Sequence, residues 1–219
     1  MMYFTVPVQY LNILLLGGWV TLKLCGLSLV LGGLLGTLLG SLRAFGNKFI
    51  RAWIIAYVEL VRSVPFLILL FFFFYGLPLT TGLDMPPYTA AIAALSINCA
   101  AYIAQVVYGG VKSLSKGQIE AGMALGLGHY KIFSKIIFPQ ALRTMAPAMV
   151  NVAITVIKES ALTSTIGFLD LLGTGLAIRE SRVGQPGPDI IILVALFYFI
   201  LCFLLSRLEF VFIKKWRSG

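Results

Sequence analysis

"EAGMALGLGHYKIFSKIIFPQALR", residues 120–143, is the least apolar stretch of a chain that otherwise reads as lipid-soluble. Working outward from it, 59% of the 219 residues are hydrophobic and only 11% are charged, with a mean hydropathy of +0.97. That balance places the chain in a bilayer as an integral protein. A hydrocarbon core about 30 Å thick needs roughly 20 apolar residues per helix, so the chain has room for several spans and none for a separate soluble domain. The residues read as one transmembrane domain, 1–219, whose main polar loop is 112–138.

Five helical spans are predicted: Leu14 to Leu42, Trp53 to Gly76, Tyr88 to Val111, Pro139 to Ile157 and Ile190 to Phe212. Strands are excluded, because the apolar runs are long and continuous and lack the alternation of a membrane barrel. The opening "MMYFTVPVQYLNILLLGG" has neither a basic leader region nor a small-residue cleavage site, so it is expected to stay as the first anchor.

Charge sets the expected orientation. Twelve basic residues fall on one side: Arg43, Lys48, Arg51, Lys112, Lys116, Lys131, Lys135, Arg143, Arg207, Lys214, Lys215 and Arg217. Only Lys158, Arg179 and Arg182 fall on the other. The richer side is cytoplasmic, which predicts an external amino terminus and a cytoplasmic carboxy terminus. The same topological order accounts for the net charge of +9, so nucleic acid is not an expected partner.

Cys25, Cys99 and Cys202 lie in three different spans without metal-ligand spacing, and His129 stands alone in a basic loop. No metal site or disulfide is expected. Neither a GxxxxGK[ST] phosphate loop nor a GxGxxG turn is present, so no nucleotide chemistry is expected by those routes. In the first span "GGLLGTLLG" sets Gly32, Gly36 and Gly40 on one helical face, where a second helix can approach closely, in a bundle or in a dimer.

The opening stretch itself lies between the third and fourth spans. Ser115 followed by Gln118 is a capping-box pattern that starts a helix, the Gly126 and Gly128 pair ends it, and Pro139 suits the first turn of the next span. Ala121, Gly122 and Ala124 leave the short helix little bulk. On the residues alone, it either docks tightly against a partner or rests on the lipid headgroups.

The spacing from Glu120 to Pro139 resembles the EAA motif of permease subunits of ATP-binding-cassette (ABC) importers, E-A-A, three residues, G, nine residues, I-x-L-P. Glu120, Ala121, Gly126, Ile136 and Pro139 stand in register, with Gly122 where the motif has Ala and Phe138 where it has Leu. "YVELVRSVPFLIL" (57–69), "NCAAYIAQVVYGGVKSLSKGQ" (98–118) and "VIKESALTSTIG" (156–167) are similar to stretches of the polar amino acid uptake permeases. The resemblance implies an all-α integral membrane protein with five transmembrane helices, the type I ABC importer permease fold, an outside N-terminus and a cytoplasmic coupling helix. It implies a multi-pass protein of the bacterial inner membrane that pairs with a second permease, identical or homologous. A dimer of cytoplasmic ATPase subunits would bind ATP and Mg, leaving no cofactor and no enzyme activity in this chain. An external solute-binding protein would deliver the amino acid. Glu120, Ala121, Gly122, Gly126, Ile136 and Pro139 would couple to the ATPase.

Intramembrane polar residues are candidates for the substrate pathway, because such groups are costly in lipid and face a partner or a cavity. Asn98, Tyr102 and Gln105 share one helical face, and Asn151, Thr155 and Glu159 share another, with Lys158 adjacent. Hydrogen bonding between helices without substrate contact is the alternative. Glu59 and Arg62 read either as a structural ion pair or as a gate. An amino acid brings one ammonium and one carboxylate, so Glu159 is expected to read the first and Arg62 or Lys158 the second. Where the resembled family has Glu and Arg in the third span, this chain has Gln105 and Tyr108. After span four, Ile166, Leu169 and Leu172 suggest a short interfacial or re-entrant helix, with Arg179, Glu180 and Arg182 beyond it for a binding protein. A secondary transporter or channel not coupled to an ATPase is the competing class, argued against by the absence of a visible inverted repeat.

Overall fold

The computed structural model describes residues 8–113, 116–181 and 189–217. Helix α1 (Val8–Phe45) leads through a tight elbow to α2 (Lys48–Ser63) and α3 (Phe66–Phe71). A π-helical turn, Phe72–Gly76, joins α3 to α4 (Leu77–Thr81), and α5 (Pro87–Lys112) follows. Beyond it come α6 (Lys116–Ala124), α7 (His129–Ile132), a second π turn (Phe133–Ile137) and α8 (Phe138–Ser160). A 3-10 segment, Ala161–Ile166, then leads to α9 (Leu171–Ser181) and α10 (Asp189–Arg217).

Four stretches are long and apolar enough to cross a membrane: Tyr10–Phe45, Pro87–Lys112, Ser134–Ile166 and Ile190–Arg207. The expected second span, Trp53 to Gly76, is not one helix. It is a pair, Lys48–Ser63 and Phe66–Thr81, bent by 104°, and it makes the fifth span if the pair is counted as one. The break has a local cause. Val64 precedes a proline and is pushed to extended backbone (φ −94, ψ 131), while Pro65 (φ −55, ψ 135) starts the next helix. Phe66 and Leu70 are buried just beyond the break, while Ser63 and Pro65 at the break are exposed. Both π turns end two residues before a proline, Pro78 and Pro139. A proline ring clashes with the carbonyl four residues back and offers no N–H, and widening the preceding turn relieves both defects.

Helix α5 is the axis of the bundle. Its alanines Ala90, Ala91, Ala94, Ala100, Ala101 and Ala104 are fully buried, and α1 lies against it through the glycine ladder. A Cβ on Gly32 would stand 2.7 Å from Cys99 Cβ, one on Gly36 2.6 Å from the Ala100 carbonyl, and one on Gly40 2.7 Å from the Ala104 carbonyl. The ladder therefore serves packing within the chain. Cys25 and Cys99 are buried in that core, and all three cysteines are free. The expected stripe of Ile166, Leu169 and Leu172 does not form. Ile166 is buried but Leu169 is 60% exposed, because left-handed Gly167 (φ 78) ends the 3-10 segment and α9 starts only at Leu171. Helix α9 buries Leu171 and Ile178 against Leu14, Ile190 and Val194 instead.

Candidate coupling loop and polar pathway

Helix α6 carries Gln118, Glu120, Ala121 and Gly122. Ser115, expected to cap it, lies outside the described residues. Its end is a Schellman motif: Gly126 adopts φ +73, its N–H donates to the Met123 carbonyl at 2.9 Å, and Leu127 N–H donates to the Gly122 carbonyl at 3.0 Å. Only Gly126 of the expected pair stops the helix; the carbonyl of Gly128 accepts the Ile132 N–H at 3.1 Å and opens α7. Gly122 faces Ile132, whose Cγ1 would lie 2.9 Å from an added Cβ, so the departure from Ala at this position lets α6 sit close to the next turn. The outer face presents Glu120, Ala121, Ala124, Met123 (46% exposed) and Leu125 (78%). Ile136 is half-buried in the π turn and Pro139 is exposed at the start of α8.

The seven polar candidates fall into three places. Asn98 Nδ2 donates to Glu159 Oε2 at 2.6 Å and ties α5 to α8. One turn along α5, Tyr102 lies beneath the Arg62 guanidinium at 5.3 Å. Arg62, Tyr102, Asn98 and Glu159 thus form a run with a cation at one end and a carboxylate at the other. Among the described residues no ion pair joins Glu59 to Arg62, and both are exposed. On the far side of α8, Asn151 and Lys158 open on a groove of about 640 Å³ shared with Tyr198 and Cys202 of α10. Consecutive helical residues point about 100° apart, so Lys158 and Glu159 serve different spaces. Thr155 Oγ1 donates to the Asn151 carbonyl at 3.0 Å, within its own helix. Gln105 belongs to neither place, because its Oε1 accepts from Arg43 Nη1 at 2.6 Å.

Two groups escaped sequence reading. Arg43, counted as a loop charge, is 9% exposed and lies over the Tyr108 ring at 4.2 Å. Asp170 is fully buried; its Oδ1 accepts from Gly173 N–H at 2.8 Å and its Oδ2 from Tyr198 OH at 2.9 Å, while Leu171 N–H donates to Thr21 Oγ1 at 2.9 Å. Burial pushes the Asp170 carboxyl up from the usual carboxylate range, against the pull of these donors. The node pins α9 to α1 and α10. Its one sequence signal is an Asp three residues before Gly173, the spacing of a helix N-cap.

Long apolar helices, a span broken at proline and a polar run bridging two helices are those of a multi-pass helical membrane protein. Residues 32–218 match the family described as "Binding-protein-dependent transport system inner membrane component", and the chain belongs to that family. It is 30% identical over 217 residues to the arginine transport system permease protein ArtQ of Bacillus subtilis (strain 168), covering 99% of this chain and 98% of that one. Over 202 residues it is 35% identical to the glutamine transport system permease protein GlnP of Escherichia coli (strain K12), covering 90% and 91%. A solved structure, "Crystal structure of an amino acid ABC transporter with histidines", matches with a TM-score of 0.87 at 32% identity, over 96% of this chain and 99% of that chain. The expected class is therefore correct: the chain is an inner-membrane permease component, and an uncoupled secondary transporter or channel is not favoured.

Proposed function

We propose that this single-domain permease, with its amino terminus outside and its carboxy terminus in the cytoplasm, passes a polar amino acid inward in partnership with a second permease subunit. Helix α6 docks on a cytoplasmic ATPase subunit, which binds the ATP and Mg; this chain holds no cofactor and catalyses no reaction. An external solute-binding protein delivers substrate, and Arg179 and Glu180, exposed on α9, face it; Arg182 lies outside the described residues. The amino acid class is supported by the relatives named for arginine and glutamine.

One observation carries the coupling reading. The only polar loop that exposes a small-residue helix, α6, connects α5 and α8, the two helices bridged by Asn98 and Glu159, among the described residues. A two-state displacement of α6 is thereby delivered to the polar run. In that run Glu159 reads the substrate ammonium and Arg62 its carboxylate. Reconstitution with ATPase and binding protein, scored by substrate-stimulated ATP hydrolysis across an amino acid panel, tests coupling and substrate together. Glu159→Gln is expected to lower uptake by roughly tenfold, the worth of one charge-assisted contact; uptake and preference unchanged in that variant would remove the assignment.

A further inference from the structure

The two stems of the α6 loop are held very differently. At the end of α1, Arg43 reaches across to α5, where its Nη1 donates to Gln105 Oε1 at 2.6 Å and its guanidinium covers the Tyr108 ring at 4.2 Å. Its backbone carbonyl accepts the Arg51 Nε–H of α2 at 3.2 Å. One residue thus joins α1, α2 and α5, within two turns of the point where α5 ends at Lys112 and the loop begins. The tie is costly. Arg43 is only 9% exposed, the partners named here are neutral, and its Nε is buried without a hydrogen bond. A buried cation answered by neutral groups recovers little of its desolvation cost, so a leucine would stabilise this site more cheaply.

The other stem is interrupted, although its Met145 and Ala141 pack beside Gly110 of α5. Helix α8 is entered through the π turn Phe133–Ile137 and Pro139, and it carries Pro147 in its interior. Within this one chain the most apolar part of Ser134–Ile166 is less buried than that of α5. A push on α6 would move the weaker stem, provided the stronger one stays still. The interface between them carries the Asn98 to Glu159 bond.

We propose that Arg43 is a positioning residue that fixes the α5 root of the coupling loop to α1 and α2, so that displacement of α6 reaches Glu159 as movement of α8 along a stationary α5. This rests on the coupling reading above. It also accounts for Gln105 and Tyr108: the positive charge expected on α5 itself comes from α1, and a contact between helices restrains α5 in a way that a pair within one helix does not.

The test uses the complete importer in proteoliposomes and reads amino acid moved per ATP hydrolysed. Arg43→Gln is expected to insert and to keep ATP hydrolysis while this ratio falls at least about fivefold, the lower end of ordinary coupling energies. Tyr108→Leu, which removes only the stacked ring, should give a smaller loss of the same kind. Arg43→Lys should lose coupling, and adding Gln105→Glu to it should restore coupling through a charged bond, a rescue that a merely structural role would not produce. An unchanged ratio in Arg43→Gln overturns the proposal. Should Arg43→Gln fail to insert, a normal ratio in Tyr108→Leu, or no rescue by Gln105→Glu, overturns it equally. Leu125→Asp, on the exposed face of α6, separates the two readings: if it leaves ATPase association intact, the docking reading has failed and the role of Arg43 falls with it, whereas lost association beside a normal Arg43→Gln ratio rejects Arg43 alone.

Discussion

The contact of α1 with α5 and the turn after α6 both depend on glycine, for opposite reasons. In the first, Gly32, Gly36 and Gly40 are buried, and an added Cβ on each would overlap α5 within 2.7 Å. Their backbone is ordinary helix, and what they supply is absence of volume. In the second, Gly126 has open space around its Cβ position and is exposed, but holds φ +73. What it supplies is conformation. The first set closes a packed contact between two long helices, whereas Gly126 shapes the end of a short exposed helix. The coupling proposed above needs both, because a lever works only against something fixed.

Substitution separates the two uses, and the largest effect belongs to the packed contact. Gly36→Leu puts a side chain where even a Cβ would lie 2.6 Å from the Ala100 carbonyl and 2.8 Å from Ile103 Cβ. Both helices must part, and overpacking costs roughly 1–3 kcal/mol or more even where flexible side chains can yield. Folded protein recovered from membranes, measured by size-exclusion profile, should fall to a small remnant. Gly126→Val meets no neighbour and pays only for a β-branched residue at positive φ, roughly 1–2 kcal/mol. Amount and profile should match the parent while ATP-driven uptake drops by a factor of about 5–30, the population shift of such a cost. If Gly126→Val instead loses protein as Gly36→Leu does, the division between packed contact and lever is wrong.

Legibility in the sequence follows the range of each interaction. The glycine ladder is readable because helical spacing alone puts Gly32, Gly36 and Gly40 in line, and the same rule places Asn98 and Glu159 on the polar faces of α5 and α8 that a 2.6 Å bond joins. The break at Pro65 is also local, but the length of the largely apolar stretch around it reads as a single span; the clue is Val64, which a following proline forces out of helix. The different facings of Lys158 and Glu159 follow from adjacency on a helix, about 100° apart, so the two do not make one site. The Asp170 node could not be read, because Leu171 meets Thr21 across 150 positions and nothing local announces it. Arg43 misled for a related reason: counting charges by side of the membrane says where a cation ends up, not whether it is buried.

Gly122 lies between the two uses of glycine and gives the finest test of the comparison. It is buried against Ile132 like a ladder glycine, yet it sits in the short exposed helix like the loop glycine. Two effects oppose each other in Gly122→Ala. Helix α6 gains about 1 kcal/mol, because alanine loses less backbone entropy than glycine. Against this, the new methyl meets Ile132 Cγ1 at 2.9 Å and Cδ1 at 3.1 Å, atoms of a flexible side chain that can turn aside, and no backbone lies among the nearest contacts. The terms are of similar size, so coupling should change by no more than about twofold. The larger Gly122→Leu has no such escape, since Ile132 is only 2% exposed and must be driven out, parting α6 from α7. Transport per ATP measured for both variants decides the matter: near-parent behaviour of the alanine with failure of the leucine makes Gly122 a spacing residue, while uncoupling by the alanine alone would mean that the contact with Ile132 tolerates as little added volume as the helix ladder does.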